Sequence, residues 1–149
     1  ETLAETHFAE TLAETLAERH FAESLAEWLH KEVRMKAWGF LPDEKLTSAD
    51  LFAERYQGIR PAPGYPACPD HRHKQVIHRL LQADQIGAEL TESCAMSPAA
   101  SVAGFYFAAP QARYFSIGQI DEEQLKDLAH RRGDSLDEAR RWLAPLLLA

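Results

Sequence analysis

Arg60-Pro61-Ala62-Pro63-Gly64-Tyr65-Pro66-Ala67-Cys68-Pro69-Asp70-His71 places four prolines within nine positions. Each proline fixes φ near about −65° and removes a backbone donor. The residue before each one is pushed toward extended backbone. The segment is therefore neither a helix nor a central strand, yet it carries Arg60, Tyr65, Cys68, Asp70 and His71. Flexible spacers are built from Gly, Ser and charge. This composition instead predicts a stiff loop that holds one guanidinium and one phenol in place. A loop ordered in advance loses little entropy when a ligand docks. The competing reading is a Pro-rich connector with incidental polar residues.

Working outward, His71 to Leu81 brings Val76, Ile77, Leu80 and Leu81 to helical spacing. Thr47-Ser48-Ala49-Asp50 predicts a helix start capped by Ser48 and a short turn through Ala53. Residues 88–93, 102–108 and 113–120 read as strands, the last two flanking a hairpin connection at Ala109-Pro110-Gln111-Ala112. Asp121-Glu122-Glu123 opens a helix that ends near Arg132-Gly133, with acids at its positive end and Gly as its cap. Ser135-Leu136-Asp137-Glu138 begins the last helix, with Pro145 near its end. A long N-terminal helix, a small antiparallel sheet with a hairpin, and two C-terminal helices make the expected class α+β.

The N-terminus repeats itself. Residues 1–14 (ETLAETHFAETLAE) and 14–27 (ETLAERHFAESLAE) are the same text with two changes, offset by 13. A helix turns about 100° per residue, so that offset leaves the two copies about 220° apart. Their Leu and Phe residues then face nearly opposite sides, and only one copy can be in register with a single core. The second copy runs directly into Trp28-Leu29-His30, so the expected division is a duplicated helical segment at 1–13 and the working domain at 14–149. The alternative for the first copy is a projecting helix that self-associates.

The formal charge of −7 is uneven, because residues 1–27 hold seven Glu against one Arg. Nothing makes a basic face, which excludes general nucleic-acid binding. The apolar runs fall far short of the ~20 residues a membrane span needs. No basic-then-apolar leader opens the chain, and Cys68 and Cys94 suit a reducing compartment, so the expected location is cytoplasmic.

Gly58-Ile59-Arg60 through Cys68-Pro69 resembles the S-adenosylmethionine-binding signature of the activation domain of cobalamin-dependent methionine synthase. Agreement continues in Leu90-Thr91-Glu92-Ser93, Ala95-Met96, Pro98 to Val102, Gly104-Phe105-Tyr106-Phe107, Ala112-Arg113-Tyr114-Phe115 and Arg141 to Pro145. Upstream it includes Ala22-Glu23, Glu27, Leu29-His30 and Trp38-Gly39, so it spans about residues 19 to 149. The resemblance implies an S-adenosylmethionine site made by Glu23, Arg60, Pro61, Ala62, Gly64, Tyr65, Tyr114 and Phe115. Arg60 would fork the ligand carboxylate through two parallel hydrogen bonds, or serve through its backbone. Tyr65 would meet the sulfonium with its ring face, or act as a hydrophobic plug. Glu23 would pair with the ammonium. Tyr114 and Phe115 are neighbours on an expected strand, so only one of the two side chains would reach the ligand.

Ala99, Ala100 and Ser101 would face cobalamin, which is held only by a partner domain. The implied task is reductive methylation of cob(II)alamin, with a cobalamin-binding domain and an electron-donor flavoprotein as partners and a homo-oligomer possible. Proximity and orientation would carry the catalysis, and no catalytic side chain is expected. The family domain is more than twice this length, and the chain lacks an Asp-x-His-x-x-Gly cobalamin motif. The expectation is therefore a C-terminal part of the domain, not active in isolation.

Two other classes stand beside it. Cys68-x-x-His71-x-His73 offers zinc ligands, but the second pair that zinc sites usually show is missing; Cys68 with His71 would otherwise be a thiol nucleophile. The acidic, alanine-rich helix of residues 1–37 would alternatively be an interaction module, or the chain a remnant that no longer binds a ligand.

Overall fold

The computed structural model describes residues 3–148, with side-chain surroundings from residue 16 onward. Helix α1 (Leu3–Glu32) runs unbroken across the junction of the two copies of the repeat and passes into a π-helical turn, Val33–Ala37. The side chains of the first copy lie outside the described residues. In the second copy Phe21 and Leu25 stand exposed, whereas Ala22, Ala26 and Glu27 are half-buried, and just beyond it His30 is buried. The helix thus turns small and polar residues inward and leaves its large apolar ones to wall a cleft. At its end the buried Arg34 grips Glu44 with Nε to Oε2 at 2.6 Å and a second bond at 2.8 Å. Its guanidinium lies 4.6 Å from the centre of the Tyr56 ring.

Helix α2 (Ser48–Phe52) is capped by Thr47 and not by Ser48. Thr47 Oγ1 accepts from Asp50 N at 3.2 Å, and Asp50 Oδ2 accepts from Thr47 N at 3.0 Å. An acid three residues on closes a reciprocal box; Leu51 could not do so for Ser48.

The strands expected at 102–108 and 113–120 do not form, and nor does the hairpin between them. Segment 102–108 pairs instead with the Pro-rich segment. Ile59 and Phe107 exchange backbone hydrogen bonds of 3.0 Å, and Phe105 N donates to Pro61 O at 3.0 Å. The pairing stops there because Pro61 and Pro63 have no N–H to donate in return. The only two-stranded sheet among the described residues is β1 (Glu89–Leu90) with β2 (Met96–Ser97), antiparallel, in register Glu89 to Ser97. Its hairpin holds the fully buried Cys94 at φ 60°.

Helix α3 (His73–Leu81) follows the Pro-rich loop directly. Helices α4 (Glu122–Arg132) and α5 (Leu136–Leu143) form the C-terminal hairpin around Leu125, Ala129, Ala139 and Leu143. Asp121 and Ser135 cap them, and Gly133 turns the corner at φ 74°. A buried charge cluster fastens this hairpin to the Pro-rich loop. Asp70 accepts from Arg72 and Arg132, and Arg72 reaches Asp134 at 2.6 Å. Among the described residues no helix is long and apolar enough to cross a membrane.

Candidate functional site

The Pro-rich loop folds on itself through Gly64 N to Cys68 O at 2.8 Å and Cys68 N to Tyr65 O at 2.9 Å. That fold, the stitching to Phe105 and Phe107, and the adjacent face of α1 enclose a cleft of about 360 Å³. Its walls include Glu23, Arg60, Pro61, Ala62, Tyr65, Tyr114 and Phe115. These are seven of the eight residues expected to hold a ligand. The eighth, Gly64, lines a smaller neighbouring cleft of about 200 Å³ with Ala62 and Tyr65. A third cleft, about 530 Å³, shares Arg60, Ala62 and Val102 with the first and is walled by Phe21, Leu25, Ala100 and Ser101. Ala99 is exposed beside them.

Tyr114 and Phe115 both line the first cleft, against the expectation that one would turn away. Alternation is imposed by a strand, and residues 113–119 are not one. Tyr114 is drawn in because its hydroxyl accepts from Arg60 N at 3.0 Å.

Arg60 does not present a free fork. Its guanidinium binds Glu27 Oε2 at 2.7 Å, His30 Nδ1 at 3.1 Å and the Tyr56 hydroxyl at 3.3 Å. Arginine has no acceptor, so His30 Nδ1 must be bare and the proton sits on Nε2. The His30 ring stacks on Tyr106 at 5.1 Å and meets Tyr56 edge-on at 4.9 Å. Burial, then the charges of Arg34 and Arg60, lower its pKa to about 3, so it is neutral at physiological pH. Burial and then the hydrogen bond with Tyr114 push the Tyr56 phenol up. Arg60 is thus a clamp whose fork is already engaged by Glu27, His30 and Tyr56.

Sequence reasoning gave Glu27 and His30 no role and passed over Tyr56. The spacing of three between Glu27 and His30 was a signal, since it puts both on one helix face. Tyr56 gave none.

This neutral histidine fixes an acid sensitivity. Below about pH 6.5 the unfolded chain protonates His30 while the folded chain stays neutral down to about pH 3. Stability from this site is therefore complete above that window and falls through it, by about 1.4 kcal/mol per pH unit. The melting temperature of the parent chain should decline between pH 6.5 and 4. The His30→Gln variant should start lower and vary less. Parallel curves would remove His30 from the account.

For the other chemistries the described residues bring no shared cleft together. His71 lies in the cleft that contains Gly64, while Cys68 and His73 line a different one behind the loop. Among the described residues no three His, Cys, Asp or Glu groups converge. Burial, then Asp70, push the Cys68 thiol up, which keeps it protonated and a poor nucleophile.

An apolar, aromatic-walled cleft with one carboxylate at its edge, set on a stiff loop, defines a binding domain for a small amphipathic molecule. The chain belongs to the family described as vitamin B12 dependent methionine synthase, activation domain, whose model matches residues 3–133. It is similar to the crystal structure of the MetH reactivation domain bound to AdoHcy, at 46% identity and a TM-score of 0.89. That match covers 98% of this chain and 45% of the other, so the chain spans less than half of that relative's length.

Proposed function

We propose that this chain is the S-adenosylmethionine-binding part of a methionine synthase reactivation domain, with residues 14–149 as its working unit and 1–13 as a duplicated extension. The observation that carries the reading is the convergence of Glu23, Arg60, Pro61, Ala62, Tyr65, Tyr114 and Phe115 on one 360 Å³ cleft. The donor set fits the ligand. Tyr65 and Phe115 offer ring faces to a sulfonium and a nucleobase, and Glu23 offers a carboxylate to the ammonium.

Bound S-adenosylmethionine supplies an electrophilic methyl on its sulfonium for the reductive methylation of cob(II)alamin. The chain itself orients that methyl. Tyr65 fixes the sulfonium end, and Ala99, Ala100 and Ser101 form a low rim on which a bulky partner can settle. The partners this reading implies are the cobalamin-binding domain and an electron-donor flavoprotein, in the cytoplasm. No general base is called for, and orientation does the work.

Isothermal titration with S-adenosylhomocysteine tests the reading. Tyr65 is 65% exposed, so Tyr65→Ala should weaken binding at least tenfold, about 1.4 kcal/mol, with little change in melting temperature. Equal affinity in that variant, or no saturable heat from the folded parent chain, would overturn the assignment.

A further inference from the structure

We propose that Lys74, with His71 and Ser101, forms a subsite for a small oxyanion, a carboxylate or phosphate, beside the aromatic cleft. Part of this deepens the ligand reading above, but the anion chemistry stands without it.

Lys74 is only 9% exposed. Its Nζ donates to Cys94 O at 3.1 Å and to His71 Nδ1 at 3.1 Å. Among the described residues no carboxylate pairs with it. A buried cation without a counter-charge is costly, and an ammonium has three donors, of which two are used. The residue does not point into packed core. It lines the 200 Å³ cleft with Gly64, His71 and Ser101.

The surroundings hold it there. The carbonyl it binds belongs to Cys94, a fully buried non-glycine residue at φ 60°, a conformation that persists only where the surroundings enforce it. The β1–β2 hairpin thus aims a carbonyl at Lys74. On the other side the His71 imidazole lies where a Cβ on Gly64 would be, 2.2 Å from Cε1. Because Lys74 cannot accept, His71 Nδ1 is the acceptor and Nε2–H is a second donor. Ser101, a lining residue of the same cleft, adds a hydroxyl to its wall. Arg60, the obvious anion receptor nearby, has its guanidinium engaged by Glu27. The carboxylate of an amino-acid ligand in the adjoining cleft, or the phosphate of a second molecule over the Ser101 rim, would each meet this set.

The test is a titration of the full chain with inorganic phosphate at constant ionic strength, following backbone amides by NMR. Saturable shifts are expected at Gly64, Cys94 and Ser101. They should be at least tenfold weaker in Lys74→Met and retained in Lys74→Arg. Without phosphate, Lys74→Met should melt no lower than the parent chain, since an unpaired buried charge has gone; should it fail to fold, Lys74→Gln takes its place. Repeating the titration with saturating S-adenosylhomocysteine separates the sources. Competition assigns the site to the carboxylate of that ligand, and simultaneous binding assigns it to an anion of another molecule. Absent shifts, or shifts unchanged in Lys74→Met, overturn the subsite even if S-adenosylhomocysteine still titrates onto the Tyr65 cleft. If phosphate binds but S-adenosylhomocysteine does not, the ligand reading fails and the subsite stands.

Discussion

Gly58→Ala should lower the melting temperature by roughly 10 °C and abolish ligand binding at ordinary concentrations. Gly58 is buried with φ 88°, a conformation that costs any L side chain about 1 kcal/mol or more. The larger effect is steric. A Cβ there would sit 2.3 Å from Phe107 O and 3.3 Å from its carbonyl carbon. That oxygen accepts from Ile59 N at 3.0 Å, so it cannot retreat without losing the pairing that seats the Pro-rich loop. Arg60, the next residue but one, would carry the disturbance to Tyr114. The combined cost is about 3 kcal/mol. Gly87→Ala is the control, because Gly87 has φ 77° and nothing within 4 Å of its Cβ position. Differential scanning calorimetry should show Gly87→Ala losing only a few degrees. If Gly58→Ala melts with Gly87→Ala, the Phe107 carbonyl is not fixed where the pairing requires.

How far the residues announce this arrangement depends on how local the controlling interaction is. The caps at Asp121, Ser135 and Gly133 act within one turn, and α4 and α5 fall where their sequence places them. Thr47 displaced Ser48 because the box needs an acid three residues on, which is also a local rule. Segment 102–108 was misread because its β-prone residues say nothing about which partner they pair with. The partner is a proline-interrupted segment about 48 residues earlier, and it supports single bridges but no ladder. Seven of the eight residues that the resemblance names meet in one cleft. The polar network behind them was not legible. Glu27 and His30 lie on α1 while Tyr56 and Arg60 come from a stretch well downstream, and only packing shows that the Arg60 fork is engaged. Lys74 gave no signal, since nothing in a helical KQVIH run marks a buried ammonium.

Asp70→Asn should be the second severe variant, with the effect confined to neutral and mildly acidic pH. Asp70 is 5% exposed. It accepts from Arg72 N at 2.9 Å, Arg72 Nε at 3.1 Å, Arg72 NH2 at 2.9 Å and Arg132 NH1 at 2.7 Å. Burial alone would raise its pKa. The Arg72 hydrogen bonds and the Arg132 charge outweigh that and hold the carboxyl below the usual 3.8. Removing the charge leaves two guanidiniums to share Asp134, at a cost of about 3–5 kcal/mol. The α4–α5 hairpin would then loosen from the loop that walls the aromatic cleft. The pH dependence follows from the depressed value. Above pH 3.8 the stabilisation is complete, and it is lost as pH falls through the lower folded-state pKa, because the unfolded chain takes the proton first. The melting gap between parent and Asp70→Asn should therefore be full at pH 7 and close in stronger acid. Adding Arg132→Met to Asp70→Asn should recover part of the loss, since one guanidinium then faces one carboxylate. Arg72 also stacks over the Trp142 ring of α5 at 5.6 Å; a gap that persists unchanged to pH 3, or a double variant no better than the single, would mean that this stacking, not the charge cluster, fastens the helical hairpin to the Pro-rich loop.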